Sequence, residues 1–394
     1  MLDPVSLLDH ARRKEIEGDE SGAAADFRRS AEAAGIVGDV STEVAALAGL
    51  VRVGTAAGRY KEVRAHLDAI DARLASATLT PLARAEALTE ASLVAIELGE
   101  DATERLHEAI ALAGAEPTTA QSYRVQVRAQ TYLAHAERLR GDYVAARTTL
   151  ARALAIAERG PGPDSYEVAY VLNAIGVLGK FSGDFGAASR AYDRAAGIIR
   201  TLYGDDHPDI AVILHNLAGL AHARGDPAAA EPLARQSVAI RERTLGPDHL
   251  GTILDRAGLA AILSDRRRDD EAVALLEQVL ADLDGTVGVE HREYAVTLNN
   301  LAAIEQRRNN LVSAESRYRR ALEIKERTQG ANAPALATTL NNLATVLRRQ
   351  GRLDEARTAY ERAIGLLEDV VTDEHPTLIA VRRNLLRLEA PSDR

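Results

Sequence analysis

Histidines are the residues whose spacing most suggests chemistry in this chain of 394 residues. His207, His249 and His291 follow one another at intervals of 42 residues, and His375 lies two further intervals along. Catalysis and metal binding need such side chains in one site, whereas a long fixed interval places each in a separate structural unit. We therefore interpret these four histidines as structural residues in loops at helix entries.

Other signatures of chemistry are missing from the sequence. His215 and His222 stand seven residues apart, roughly 10 Å along a helix, which is too far to share a metal ion. The chain has no cysteine, which excludes disulfides, thiolate nucleophiles and cysteine-ligated zinc. It also lacks a phosphate-binding Gly-Lys-Ser/Thr loop and a Gly-x-Ser-x-Gly elbow. We expect no catalytic residues, no metal site, no cofactor and no enzymatic activity.

Composition narrows the class of protein further. The formal net charge is −10, which argues against nucleic-acid binding through phosphate neutralisation. No run approaches the ~18 apolar residues of a membrane helix, and the first ten residues do not resemble a signal peptide. We expect a cytoplasmic protein that contacts neither nucleic acid nor membrane. Aromatic residues make up only 4% of the chain, which suits closely packed helices and predicts an all-α fold.

A repeat of 42 residues organises the chain. Leu-Asn-Asn-Leu-Ala occurs at 298–302 and again at 340–344, and Leu-His-Asn-Leu-Ala occurs at 214–218. Each segment predicts a helix, a tight turn eight residues after its second Leu or Ile, and a second helix with Ala five residues beyond the turn. The turn residue is usually Gly, with Arg267 and Asn309 as exceptions. Nine such helix-turn-helix units fit the chain.

These units resemble tetratricopeptide repeats of the 42-residue type found in kinesin light chains and many bacterial proteins. The resemblance is carried by the Leu-Asn-Asn-Leu-Ala opening, the Gly turn, the small residue after it, the Gly-x-x-His-Pro ending and an aromatic at Tyr192, Tyr318 and Tyr360. It implies a right-handed superhelical solenoid in which the first helix of each pair lines the concave side.

The regularity of the repeats predicts three regions in one continuous solenoid. Residues 1–120 hold degenerate repeats, residues 121–373 hold regular ones, and residues 374–394 form a C-terminal capping helix and tail. The irregular first region either continues the groove or offers a separate docking surface.

The candidate binding groove follows from helical geometry. At 100° per residue, Leu298, Leu301 and Ala302 face the partner helix, while Asn299 and Arg307 share the opposite face with Asn300 at its edge. Applying the period gives the full candidate set: Asn173, Lys180, His215, Asn216, His222, Asn299, Asn300, Arg307, Asn341, Asn342, Arg348, Arg349 and Asn384.

Two interpretations of this set remain open. Asn is unfavourable in the middle of a helix, and its amide matches the donor and acceptor of an extended peptide backbone. The resemblance implies that the matching Asn positions line a cargo-peptide groove, but hydrogen bonds between neighbouring repeats would produce the same spacing. The Arg side chains would suit an acidic peptide, although solvated helix ends explain them as well.

We therefore expect a non-catalytic scaffold that binds a protein or peptide ligand, with an acidic segment as one candidate. The alternative is a regulatory or sensor subunit that wraps and controls a partner effector, such as a protease or a signalling NTPase. The oligomeric state stays open.

Overall fold

A computed structural model describes residues 3–76, 79–115, 119–368 and 376–389. These residues contain nineteen α-helices, one short 3-10 helix at Pro334–Leu336 and no strand. Eighteen of the helices follow one another as nine pairs, and the last stands alone. The predicted all-α repeat solenoid of about nine pairs is therefore confirmed.

The helices are numbered in chain order. Their bounds are α1 Pro4–Ile16, α2 Glu20–Val37, α3 Val40–Ala56, α4 Tyr60–Ser76, α5 Pro81–Glu97, α6 Thr103–Ala115, α7 Ala120–Leu139, α8 Tyr143–Arg159, α9 Tyr166–Ser182, α10 Phe185–Tyr203, α11 Pro208–Ala223, α12 Pro227–Thr244, α13 Leu250–Asp265, α14 Asp269–Thr286, α15 Arg292–Arg307, α16 Leu311–Gln329, α17 Ala337–Arg349, α18 Leu353–Gly365 and α19 Pro376–Glu389.

The tight turn inside each pair contains a residue with a left-handed backbone, and in several pairs the next residue is an Asp that caps the second helix. Gly183 has φ +82°, and the next residue, Asp184, accepts a hydrogen bond from the Ala187 backbone N–H at 3.0 Å. Asp caps of this kind satisfy a backbone donor that the first turn of a helix leaves without a partner. Arg267 and Asn309 adopt the same left-handed backbone at φ 62° and 66°. The turn predicted at these two exceptions is therefore confirmed.

The periodic histidines cap the first helices of successive pairs. Nδ1 of His207 accepts from the Asp209 backbone N–H at 3.2 Å, and Nδ1 of His291 accepts from Glu293 at 3.3 Å. His249 does the same at the start of α13, with Gly251 as donor at 3.1 Å. Their predicted structural role is confirmed, except for His375, which lies outside the described residues.

The interior is built from small side chains and a few rings. The Ala residues five positions after the turns are fully buried, as predicted: Ala188, Ala230, Ala272, Ala314 and Ala356. Tyr192, Tyr318 and Tyr360 are also fully buried. The ring of Tyr192 lies directly on Gly176, where an added Cβ would come within 2.3 Å of the ring. Paired helices can therefore approach closely.

The chain divides into two compact units, Met1–Asp255 and Arg256–Arg394, hereafter unit 1 and unit 2. The boundary falls inside α13. In unit 2, the described part of the C-terminal helix α19 packs on α17 and α18 and buries Leu378 and Val381. The division into residues 1–120, 121–373 and 374–394 concerns the regularity of the repeats and stays a prediction.

In unit 1, the first pair of helices contacts helices that come much later in the chain. The turn between α1 and α2 reaches the starts of α11 and α13, about 190 residues or more away in the chain. Nε2 of His207 donates to the backbone carbonyl of Ile16 at 2.9 Å, and Nε2 of His249 pairs with Oε2 of Glu20 at 3.0 Å. Each of these histidines therefore uses one ring nitrogen as a helix cap and the other to hold this turn, hereafter the N-terminal turn.

The contacts of the N-terminal turn predict that Gly18 and Gly38, which both have left-handed backbones in unit 1, lose different amounts of stability when they are replaced by Ala. Gly18 has φ +85°, and an added Cβ would lie 2.6 Å from Cδ of Pro208; Gly38 has φ +77° and open space around it. We expect Gly38→Ala to cost about 1–2 kcal/mol for the left-handed backbone alone. Gly18→Ala should cost about 1–3 kcal/mol more because it also overpacks the contact. Urea unfolding of both variants measures the difference, and equal losses would contradict the contact.

Candidate functional site

The face predicted to line the groove in unit 2 carries polar side chains, and the opposite face of the same helix is apolar. On α15, Leu298, Leu301 and Ala302 are buried, whereas Asn299 and Asn300 are half-buried. The predicted assignment of apolar and polar faces on this helix is therefore confirmed. Whether the polar face binds a ligand stays a prediction.

Four of the candidate Asn side chains bind one another across neighbouring repeats. Nδ2 of Asn216 donates to Oδ1 of Asn173 at 2.8 Å, which joins α11 to α9. Nδ2 of Asn384 donates to Oδ1 of Asn341 at 2.9 Å, which joins α19 to α17. Both pairs span 43 residues. The inter-repeat hydrogen bond, one of the two interpretations of the Asn row, is thus present in both units.

The remaining Asn candidates keep unused hydrogen-bonding capacity. Within the described residues, Asn300 makes no side-chain hydrogen bond, and Asn342 only accepts a long one, 3.4 Å, from Asn341. The buried Oδ1 of Asn299 has no hydrogen-bond donor. These amides therefore differ from the paired ones in having hydrogen-bonding capacity that the described residues do not use.

The candidate arginines also divide into those that bind a neighbouring repeat and one that does not, and Arg307 and Arg349 belong to the first group. Arg307 donates to Oγ of Ser264 at 2.7 Å and pairs with Asp269 at 2.6 Å, while Arg349 donates to the carbonyl of Gln306 at 2.6 Å and to Oδ1 of Asn309 at 2.8 Å. Both guanidinium groups therefore bind the end of the first helix in the preceding repeat.

Arg348 differs from these two neighbours. It is half-buried on α17 and forms no hydrogen bond or ion pair with the described residues. Its guanidinium group therefore has donors that the described residues leave without a partner.

In unit 1, His215 belongs to a cluster around a buried carboxylate. Nδ1 of His215 lies 2.8 Å from Oδ1 of Asp255, which also accepts from Arg241 at 3.0 Å, while Ser237 binds its other oxygen. Ser237 donates to the carboxylate and not to the histidine, and it is fully buried. The cluster therefore lacks the nucleophile-to-base hydrogen bond of a hydrolase triad. Sequence analysis missed Asp255, whose only signal is an acidic residue in the middle of a helix.

Lys180 lies among other cations in unit 1. Its Nζ is 5.1 Å from the centre of the Phe181 ring, and the guanidinium carbon of Arg138 is 4.5 Å from the same ring. Within the described residues Lys180 has no ion pair, and burial together with Arg138 lowers the pKa of its ammonium group. Another candidate, His222, follows Lys180 by one period on α11 and is half-buried.

A network of buried ion pairs crosses the first helices of unit 1, and sequence analysis did not predict it. Glu90 on α5 is fully buried and accepts from Arg52 on α3 and Arg128 on α7, both at 2.9 Å. Arg52 also binds Glu15 on α1. Burial raises the pKa of Glu15, but the charge and hydrogen bond of Arg52, together with the charges of Arg128 and Arg12, outweigh burial, so the net shift of the pKa is downward. These side chains neutralise one another's charges, so they offer a ligand little uncompensated charge.

A further buried ion pair joins α1 to α5. Nη2 of Arg12 lies 2.6 Å from Oε2 of Glu86, whose side chain is 2% exposed. The network therefore holds four first helices, α1, α3, α5 and α7, in one arrangement.

The described residues hold no cluster of three or more His, Asp or Glu side chains that could bind a metal ion. Among the helices within the described ranges, none is both long and apolar enough to cross a membrane.

Comparison with known proteins decides the family. The sequence pattern of the tetratricopeptide repeat matches residues 126–198, 181–243, 225–284 and 293–369, which together exceed half of the chain. The chain is a tetratricopeptide repeat protein. Repeats of this family are, in general, non-catalytic scaffolds for protein interaction. No curated protein matches the chain.

Two solved structures with TM-scores above 0.5 share the fold of this tetratricopeptide repeat protein, and a third is similar in sequence over part of the chain. The Rap protein complexed with Competence and Sporulation Factor is 12% identical, covers 93% of this chain and 98% of its own, and has a TM-score of 0.63. A Signal Transduction ATPase with Numerous Domains from Pyrococcus horikoshii, with a tetratricopeptide repeat sensor, is 14% identical over 92% of this chain and 54% of its own, with a TM-score of 0.56. A kinesin light chain from Podosopora anserina with nearly identical repeats is 26% identical over 46% of this chain and 86% of its own, with a TM-score of 0.40.

The ion-pair network predicts that Glu90 is a large contributor to stability. Glu90→Gln would leave Arg52 and Arg128 buried without their shared charge, so we expect unfolding to become easier by about 3–5 kcal/mol. Glu108 forms an exposed pair with Arg84 and serves as the control, since Glu108→Gln should cost less than about 1 kcal/mol. Denaturant unfolding of both variants measures the difference; similar small losses would contradict the network.

Proposed function

We propose that this protein is a non-catalytic scaffold that binds a protein or peptide segment along the first helices of unit 2. The observation that carries the proposal is the presence of Asn300, Asn342 and Arg348 on α15 and α17. Within the described residues, these side chains have hydrogen-bonding capacity that the fold itself does not use. Polar side chains that only held neighbouring repeats together would have partners, as Asn341 and Asn384 do.

The chemistry of these groups favours an extended segment with acidic side chains. An amide offers one acceptor and two donors, and therefore matches the alternating groups of a peptide backbone. Arg348 presents a planar fork of donors that suits a carboxylate. Arg307 and Arg349 contribute little to this recognition because their donors are already engaged. Affinity then comes from many modest contacts along the helices.

A capture experiment tests this proposal. The wild-type protein and a triple variant, Asn300→Ala with Asn342→Ala and Arg348→Ala, are used to capture partners from native lysate, followed by mass spectrometry. We expect the variant to lose a partner that the wild type retains, because it lacks both amides and the free guanidinium. Raised salt should weaken the same capture, since an exposed charge pair is screened.

The matched control is Gln278→Ala with Glu361→Ala, which changes exposed residues on the second helices α14 and α18. The control should retain the partner, and circular dichroism should show equal helicity in all three proteins. Retention of the same partners by the triple variant would refute the proposed surface.

A second candidate function, control of a partner effector, is favoured by the N-terminal turn. His207 and His249 hold this turn against α11 and α13 by two hydrogen bonds, so unit 1 has a contact that a partner can replace. A scaffold with such a contact can change conformation when a partner binds, which is the requirement for a regulatory subunit.

Hydrogen exchange tests this second function. The backbone amides of residues 16–20 should exchange faster when the captured protein is bound, because the N-terminal turn then separates from His207 and His249. The turn at Gly38, which has open space around it, is the internal control and should not change. Unchanged exchange at residues 16–20 would count against regulation through this contact.

A further inference from the structure

Helix α19 carries large apolar side chains on a face that the described part of unit 2 leaves exposed. One side of this helix packs on α17 and α18. The other side presents Ile379 and Leu386, whose exposed fractions are 41% and 66%. Residues seven apart lie on one face of a helix, and Arg383 and Arg387 share that face. These four residues are hereafter the α19 face.

The period shows what the position of Leu386 meets in earlier repeats. Five earlier first helices have a small, buried residue there: Gly176, Ala218, Ala260, Ala302 and Ala344. A Cβ added to Gly176 would come within 2.3 Å of the ring of Tyr192 on α10, the second helix of the same pair. This position therefore faces the second helix of its own pair and is small where that helix packs closely.

The position of Ile379 gives the same result. The corresponding residues of the five earlier first helices are all buried: Ala169, Ala211, Ile253, Ala295 and Ala337. The backbone carbonyl of Ala211 accepts a hydrogen bond from Ser237 on α12, again the second helix of the pair. The α19 face is therefore the surface that first helices normally cover with a second helix.

The side chains of the α19 face do not suit a second helix of the usual kind. Such a helix places a buried ring, as at Tyr192, on the residue that corresponds to Leu386. A Leu side chain at that position would overpack the contact. The occupant that fits the α19 face is therefore a helix with small residues opposite Ile379 and Leu386.

The charges of the α19 face also depart from the period. Arg383 lies on the helix surface between Ile379 and Leu386, and Arg387 lies one turn further along. Both arginines are exposed, and neither forms an ion pair or a hydrogen bond with the described residues. The corresponding residues of α15 and α17 are uncharged: Asn299, Asn341, Ala303 and Thr345. The apolar surface is thus flanked by positive charge.

This charge decides between two possible occupants. A second copy of the chain that paired its α19 with this one about a two-fold axis would bring the Arg383 side chains of both copies together, because Arg383 lies between the two apolar residues. Like charges set against each other disfavour that pairing. A helix with carboxylates beside its apolar stripe instead pairs with both guanidinium groups.

We propose that the α19 face is a docking site for an amphipathic helix of another protein, with small apolar residues along the centre of its apolar stripe and Asp or Glu on either side. The helix lies on α19 as second helices lie on α15 and α17. The proposal goes beyond the binding surface of α15 and α17, because it uses a different helix of unit 2 and takes a helical ligand.

A designed helix tests the docking site. The probe is a fluorescein-labelled peptide of about 20 residues, long enough to form a helix in water, with Ala and Leu on one face and Glu beside them. Ile379→Ala with Leu386→Ala gives α19 the residues that α17 has at Ala337 and Ala344. We expect fluorescence anisotropy to show at least tenfold weaker binding by this double variant. Its Tm should change little, because both side chains are exposed.

A second pair of variants tests the charges. Wild type should bind the Glu peptide more tightly than a comparison peptide with Lys in place of every Glu, and Arg383→Glu with Arg387→Glu should reverse this preference. Val312→Ala is the matched control, because it removes an apolar side chain of unit 2 that is 81% exposed on α16. This control should bind the Glu peptide like wild type.

Four results would overturn the docking site. The first three are no binding of the Glu peptide to wild type, equal binding of the Glu and Lys peptides, and equal binding by wild type and the double Ala variant. The fourth is a dimer in sedimentation velocity that the double Ala variant abolishes, since a second copy would then cover the α19 face.

The triple variant Asn300→Ala with Asn342→Ala and Arg348→Ala separates this proposal from the proposed function. We expect the triple variant to bind the Glu peptide like wild type, because the α19 face is intact. Loss of binding in the triple variant, with full binding by the double Ala variant, would place the probe on α15 and α17 and overturn the docking site alone.

Discussion

The fold depends on one constraint: a pair of short helices leaves an apolar face uncovered until the next pair packs against it. Fully buried Ala residues at the crossings and fully buried rings of Tyr192, Tyr318 and Tyr360 show how closely successive helices approach. A residue with a left-handed backbone turns the chain within each pair, and an Asp cap begins the second helix in pairs such as α9 and α10. Because each repeat must present the same apolar surface to the next, the period holds even where the turn residue changes to Arg or Asn.

The same constraint leaves the polar face of the first helices free to vary between the two units. In unit 1, Glu15, Arg52, Glu90 and Arg128 use this face to bind one another. In unit 2, the amide of Asn300 and the guanidinium of Arg348 have no such partners within the described residues. The same repeat architecture thus carries a polar face whose side chains pair with one another and a polar face whose side chains include some without partners among the described residues.

The sequence predicts the features that depend on neighbouring residues and repeats. The histidine caps, the turns at Arg267 and Asn309, and the apolar face of α15 all follow from the period. The ion pair between Arg12 and Glu86 does not follow from the period, because it joins residues 74 apart in the sequence. It depends on how the first helices of different repeats are arranged. The bond between His207 and Ile16 joins residues 191 apart. No local pattern indicates contacts of this kind.

In the candidate site, too, the sequence predicts which residues share a helix face but not which tertiary contacts they make. The sequence identifies Arg307, Arg348 and Arg349 as one cationic group, but only the structure shows that two of them bind the preceding turn. Helical position places Arg348 one residue before Arg349, which turns it by about 100° away from that turn. Two consecutive residues of one helix therefore differ: Arg349 joins neighbouring repeats, whereas Arg348 has no partner among the described residues.

Departures from the period are the most informative positions in such a chain. A residue that follows the period satisfies a requirement that every repeat shares, so its presence says little about a ligand. Lys180 occupies the repeat position of Gln306 but offers no acceptor, and the hydroxyl of Tyr192 is buried without a hydrogen-bond partner. The repeat therefore requires the aromatic ring at this position more strictly than it requires a hydrogen bond to the hydroxyl.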